Sequence, residues 1–208
     1  MVLSKTGAKW FYVNMMQQNH VMAFKGKWSD DLNLHLDPIT WKQMFLIGHK
    51  TVSDYHLTWF QYKILHRILG TQKLLHQMGK SDSDKCLLCQ SSTESLVHLF
   101  SLCPKVAQIW QDLSNWIKER TNINIKFDSF KIIMGYLNRE NFFLPINTII
   151  LVTKYYIYSN TRTKQCLNIA DLQMKVKEVY NEQNLVAKLN CSENKFEEKW
   201  LSFNKLLA

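Results

Sequence analysis

Three cysteines and a histidine stand close together in the middle of this sequence. Cys86-Leu87-Leu88-Cys89 is followed after eight residues by His98, and after four more by Cys103. Thiolates and an imidazole nitrogen are the donors of structural zinc, which takes four of them in a tetrahedron. A two-residue spacer lets one tight turn aim Cys86 and Cys89 at a common point. The polar run Gln90-Ser91-Ser92-Thr93 reads as the loop that follows, and Glu94 to Phe100 as a short helix presenting His98. Glu94 itself reads as a solvated or capping residue.

Cys103 needs a separate argument. On a continuous α-helix a residue five positions after His98 lies roughly 140° away from it, too far round to share an ion. Pro104 follows directly, and the residue before a proline is pushed out of the α region. The helix carrying His98 should therefore end before Cys103, and Cys103 should cap the next helix. The partial positive charge of that helix N-terminus would favour its thiolate. The competing reading is three buried thiols and an unrelated histidine in a reduced core; the spacing, the polar loop and Pro104 argue against it. Four protein ligands leave no open position for water or substrate, so a single structural Zn2+ is expected, with no catalytic residue assigned. Cys166 and Cys191 have no partner at ligand spacing and read as ordinary thiols.

The elements that position this cluster are read as helices. Six Gly and three Pro in 208 residues are few, and an all-β chain needs more turn residues. Asp37-Pro38 marks one helix start, with Trp41, Met44 and Phe45 as its apolar stripe. Leu57, Phe60, Ile64, Leu65 and Ile68 recur at helical spacing, with Gly70 as the expected C-cap and Gln61, Lys63, His66 and Arg67 on the polar face. A shorter helix should run from Thr71 to Met78, closed by Gly79, and Lys80 to Lys85 should be loop. Pro104 opens an amphipathic helix through Val106, Ile109, Trp110, Leu113, Trp116 and Ile117. A helix is expected at the N-terminus from Lys9 to Lys27. A short element should cover Phe130 to Leu137, and helices should run from Pro145 to Asn160 and from Asp171 to Leu189, with a last one capped by Ser192. The fold class is mainly α, an irregular helical bundle with a small zinc-stabilised Cys-Cys-His-Cys insert. Its expected organisation is a helical segment over 1–80, a zinc-binding module over 81–121 and a C-terminal helical segment over 122–208.

The formal charge is +9, and residues 1–171 carry 20 Lys and Arg against 12 Asp and Glu. A basic excess of this size suits a phosphate backbone. Hydrophobic residues make up 46%, enough to exclude a disordered chain. The most apolar stretch, Phe142 to Tyr158, is broken by Pro145, Asn147 and Lys154, so it reads as a core helix and not a membrane span. Met1 to Ala8 lacks the apolar core of a secretory signal, and an odd, clustered set of five Cys suits a reduced compartment. The expected location is intracellular, in cytoplasm or nucleus.

Three stretches resemble the C-terminal region of the reverse-transcriptase polyproteins of LINE-type (non-LTR) retrotransposons. They are Lys27-Trp28 with Asp31-Leu32 and Trp41; Trp59 to Leu69 with Lys73-Leu74 and Met78-Gly79; and Cys86 to Pro104, where His98-Leu99-Phe100 and Cys103-Pro104 look like the second ligand pair. A weaker echo runs from Gly135 and Asn147 to Tyr158 and reappears at Phe196 to Trp200. The resemblance implies a piece after the polymerase fingers, palm and thumb, associated with binding the element's RNA during target-primed reverse transcription. Upstream reverse-transcriptase domains are its implied partners. It does not carry over polymerase activity. A palm needs an aromatic-x-Asp-Asp hairpin and a third carboxylate to hold two metal ions, whereas Asp30-Asp31 lacks the aromatic and the flanking apolar strands.

Lys63, His66 and Arg67 at i, i+3 and i+4, followed by Lys73 and Lys85, form the expected contact to RNA or DNA phosphates. Trp59 and Tyr62 offer stacking surfaces for unpaired bases. The alternative is a structural or protein-interaction remnant with no nucleic-acid binding of its own.

Overall fold

The structure is a computed structural model that describes residues 20–33, 35–137 and 143–207. By compactness the chain divides into residues 1–37 and residues 38–208. In the first unit, α1 spans His20–Leu32; the part of the expected N-terminal helix before His20 lies outside the described residues.

The second unit is helical throughout. Its elements are α2 (Pro38–Thr51), α3 (Tyr55–Leu65), α4 (Gln72–Gln77), a wide π-helical turn (His98–Leu102), α5 (Pro104–Thr121) and α6 (Ser129–Met134). Then come α7 (Phe143–Thr163), α8 (Ile169–Leu189), α9 (Glu193–Trp200), a 3₁₀ turn (Leu201–Phe203) and α10 (Asn204–Leu207). Among the described residues no strand forms, and the one β-type pairing is an isolated bridge between Lys85 and Thr93. The expected mainly α bundle with an irregular Cys-Cys-His-Cys insert is the observed architecture. Among the described residues no helix is long and apolar enough to cross a membrane.

Helix α7 is the axis of this unit. All of residues 145–154 are buried, as expected of a helix that is apolar on every side. Pro145 sits in its first turn, where a missing N–H costs nothing. Helices α2, α3, α8 and α9 and the π turn all pack on it. Lys154 is therefore enclosed, and its Nζ donates to Gln61 Oε1 at 2.6 Å and to the carbonyl of Ile133 at 3.1 Å. Gln61 Nε2 donates to the same carbonyl. Gln61 was expected on the solvent face of α3 but is buried, because only there does it satisfy the lysine. Desolvation pushes Lys154 down to about 7.

Helix α3 ends earlier than its periodicity suggests. His66 is the C-cap, and Arg67 takes the left-handed backbone region at φ +59°. Arg67 N–H donates to the Ile64 carbonyl and Ile68 N–H to the Lys63 carbonyl. These are the two bonds of a Schellman closure. The reversal thus falls at Arg67, not Gly70, and Ile68 leaves the apolar stripe to stand 54% exposed. Helix α4 begins and ends as expected, with Thr71 accepting from the Leu74 N–H and Gly79 at φ +66° after it. Helix α8 begins at Ile169, two residues before the expected start at Asp171, and is capped by Asn168, whose side chain accepts from the Ala170 N–H. At the C-terminus Phe196, Trp200 and Phe203 are all buried.

Candidate metal centre

The π turn is what brings the second pair of ligands together. Leu96 and Val97 wind as α-helix, and the chain then widens from His98 to Leu102. Cys103 N–H donates to the His98 carbonyl at 2.8 Å, five residues back. A turn closed by an i→i+5 bond sets residue i+5 above residue i, which an α turn does not do. Cys103 then leaves the helical region at φ −66°, ψ 126° and caps α5, with Pro104 in its first turn. The predicted cap at Cys103 is present. The π widening, which the spacing does not announce, removes the angular mismatch before the proline acts.

The turn is anchored on three sides. Trp110 Nε1 donates to the Phe100 carbonyl at 2.7 Å, the Ser101 and Ser129 hydroxyls meet at 2.6 Å, and the Phe100 ring meets Phe60 edge-on. Leu99 and Phe100 are fully buried. Each such side chain is worth about 1.5–3 kcal/mol of burial, so His98 stands on a rigid support.

The first pair is held by the loop itself. Cys86 N–H donates to the Ser92 carbonyl and Gln90 N–H to the Cys86 carbonyl, with Gln90 in the left-handed region at φ +56°. The four donor atoms of Cys86, Cys89, His98 and Cys103 all lie within 4.8 Å of one another. Cys86 Sγ and Cys103 Sγ are 3.9 Å apart, and Cys89 Sγ lies 3.4 Å from His98 Nε2. Zinc–sulfur and zinc–nitrogen bond lengths in a tetrahedron give edges of about 3.8 Å between two sulfurs and about 3.6 Å between sulfur and nitrogen. The observed edges match both, and 3.9 Å is far too long for a disulfide. The residues present fit one zinc ion.

The electrostatics point the same way. Burial pushes the Cys86 thiol up to about 12 and raises Cys103 as well. Burial would also raise Cys89, but donation from the Ser91 hydroxyl, the Ser91 and Ser92 N–H groups and His98 outweighs it and holds that thiol at about 5. Two buried thiolates need a cation beside them; a zinc ion bound by these residues would supply that charge and so keep its thiol ligands deprotonated. Four protein donors are the ligand set of a structural zinc site.

Glu94 departs from its expected place as a solvated or capping residue. It is fully buried, not solvated. Its Oε2 accepts from the Leu87 N–H inside the first ligand turn, and its Oε1 from the Gln72 N–H at the start of α4. The Arg162 guanidinium near the end of α7 is paired to Oε1. One carboxylate thus ties the metal loop, α4 and the central helix together. Its sequence signal is that no other acid lies between Cys89 and Cys103; Arg162, 68 residues away, carries no local signal at all.

The basic candidates are spread over three segments. Lys63, His66 and Arg67 are half-buried at the end of α3, and the left-handed Arg67 means that they do not form one helical stripe. Burial lowers the pKa of His66, whose ring lies against Tyr62 and Phe45. Lys73 is exposed on α4, and Lys85 is exposed in the metal loop with its Nζ donating to the Ser91 carbonyl at 3.3 Å.

Comparison with known proteins agrees with this centre. The family described as zinc-binding in reverse transcriptase matches residues 8–110, a span that contains all four ligands. That segment, with its converging donor set, is similar to the zinc-binding region of reverse transcriptases. No curated protein matches the chain.

Proposed function

We propose that this chain is a non-catalytic, nucleic-acid-binding segment of a LINE-type retrotransposon reverse transcriptase, lying C-terminal to the polymerase and stapled by one zinc ion. The observation that carries the reading is the charge of the segment leading into the metal loop. Residues 38–81 hold six Lys and Arg against one acid, Asp54. That acid is engaged in capping α3, where it accepts from the His56 N–H at 2.7 Å. This segment therefore carries a net positive charge up to the loop, where Asp82 and Asp84 follow, and suits a polyanion. Zinc braces this segment and performs no chemistry, since its four protein ligands leave no site for substrate. RNA is the favoured polyanion, because RNA binding is what the resemblance implies for this region.

The test is binding of the zinc-loaded chain to a labelled RNA between 50 and 200 mM salt. If three to five phosphates are neutralised, log K should fall against log salt with a slope of about −2 to −4. Binding that ignores salt, or no binding, overturns the reading. Primer extension with the same protein should show no nucleotide incorporation.

A second reading, a bracing or interaction segment, is favoured by exposed Ile39 and Leu46 on α2. They line a groove with Leu137 and Leu144, and an upstream reverse-transcriptase domain is the partner that it implies. Loss of that domain's association in Ile39→Glu, with RNA affinity unchanged, would favour this reading over the first.

A further inference from the structure

Helix α3 carries an uninterrupted column of aromatic rings on its outer side. Tyr55, Trp59, Tyr62 and His66 follow one another at steps of four, three and four, the spacing of one helix face. Tyr55 and Trp59 lie 7° from parallel with centroids 6.4 Å apart, and Trp59 and Tyr62 lie 6° from parallel at 4.8 Å. The Tyr62 and His66 rings are 4.0 Å apart. The upper rings are not core residues: Tyr55 is 70% exposed, Trp59 42% and Tyr62 39%. The faces that pack the helix inward belong to other residues, Leu57, Phe60, Ile64 and Leu65.

We infer that this column is a stacking platform for the unpaired bases of a single-stranded nucleic acid, with Tyr55 as its open end. The inference rests on the nucleic-acid reading above and adds which form of the polymer is taken. Paired bases already stack on one another and hide their faces, so an exposed, parallel ring column discriminates for unpaired ones. Lys63 follows Trp59 by four residues on the same helix, and the run from Tyr55 to Ser81 contains four Lys and Arg and no acid; of the acids that bound it, Asp54 and Asp82, the first is engaged by the His56 N–H in capping the helix. A neutral ligand that stacks on aromatics, such as a sugar, leaves that charge unexplained, and an acidic peptide leaves the parallel rings unexplained. His66 closes the lower end, where it is held between Tyr62 and Phe45.

The experiment uses the zinc-loaded full chain with three labelled probes: a 20-nucleotide oligo-U, the matching oligo-dT and a blunt 20-base-pair duplex. Tyr55→Ala and Trp59→Ala should each weaken single-strand binding by about 5- to 100-fold. The salt slope should stay unchanged and duplex affinity should move by less than about twofold. Trp59→Phe, which keeps a ring, should recover most of the loss. Lys63→Gln with Arg67→Gln should instead weaken all three probes and flatten the salt slope. The two single-strand probes report whether ribose or deoxyribose is preferred. One zinc per chain in every variant confirms that each has folded. If the wild type binds oligo-U and both aromatic variants bind it as tightly, the platform is refuted while the nucleic-acid reading stands. An equal loss for duplex and single strand refutes base stacking in the same way. If the aromatic variants change only self-association in sedimentation, the column is a contact between copies of this chain. If the wild type binds none of the probes, both readings fall.

Discussion

Cys103 hydrogen-bonds through its backbone N–H to the carbonyl of His98, 2.8 Å away and five residues earlier in the chain. That bond sets the register of the metal centre, because it converts a spacing unsuited to an α turn into two side chains on one side of a wider turn.

A change of spacing should therefore cost far more here than in the loop. One alanine inserted between Ser101 and Leu102 makes the separation six, which none of the 3₁₀, α or π turns closes. Zinc affinity, read by competition with a chromophoric chelator, should fall at least about 100-fold. The same insertion between Asp82 and Ser83, both exposed in the loop before the first ligand, should cost less than about tenfold. Cys86→Ser and Cys103→Ser should each abolish the one-zinc stoichiometry and loosen residues 81–104 in hydrogen exchange. Equal losses from the two insertions would show that the π turn does not set the site.

Glu94 and Arg162 make the second prediction. Glu94→Gln leaves a guanidinium near the end of α7 without its counter-charge and sets an amide among groups that need an acceptor. Breaking a buried pair costs about 3–5 kcal/mol, and Arg162 is 23% exposed, so solvent reduces this to about 2–3 kcal/mol. Urea unfolding at saturating zinc should show it, and Glu94→Gln with Arg162→Gln should be less than additive. Strict additivity would mean that the two side chains are not coupled.

The sequence made the helices and the four ligands legible for a clear reason. Periodicity and caps are local, and so are the Cys-x-x-Cys turn and the proline after Cys103. What it hid was non-local or non-standard. Gln61 looks polar and therefore exposed, until Lys154 arrives from 93 residues away to need it. Arg67 adopts a backbone conformation usually left to glycine, so the stop signal was assigned to Gly70. Glu94 sits in a polar stretch, and only Arg162 and the N–H groups of Leu87 and Gln72 make it a buried brace. The aromatic column was half visible: Trp59 and Tyr62 stood out, but Tyr55 fell before the apolar stripe used to place α3.

Gly135 supplies a third prediction. It lies at φ +83°, ψ 177°, a region that side-chain-bearing residues essentially never adopt. A Cβ there would come within 2.9 Å of Asn147 Oδ1 and 3.2 Å of Ile47 Cδ1. The buried Asn147 cannot yield, because it accepts from the Tyr136 N–H at 2.7 Å and donates to the Tyr136 carbonyl at 3.0 Å. Gly135→Ala should cost about 2–3 kcal/mol in urea unfolding. Asn147→Ala, which removes the clash and the pairing together, should make the second change at Gly135 cheaper. A neutral Gly135→Ala would mean that the loop before α7 is free to reshape.

Lys154 gives the fold a pH dependence of predictable sign. Burial holds it at about 7 in the folded chain, while an unfolded lysine titrates near about 10.4. Between those values the unfolded chain binds more protons, so this residue makes stability rise with pH across the window. The contribution is fully present above the unfolded value and is lost as pH falls through about 7. Lys199, held near the same value by its own burial, adds a slope of the same sign. Lys154→Met removes one of the two, so urea midpoints at saturating zinc should climb less steeply from pH 7 to 9.5 in the variant than in the wild type. The variant will also lose the bond to Gln61, but that loss shifts the curve without tilting it. Parallel curves would show that Lys154 is not the titrating group.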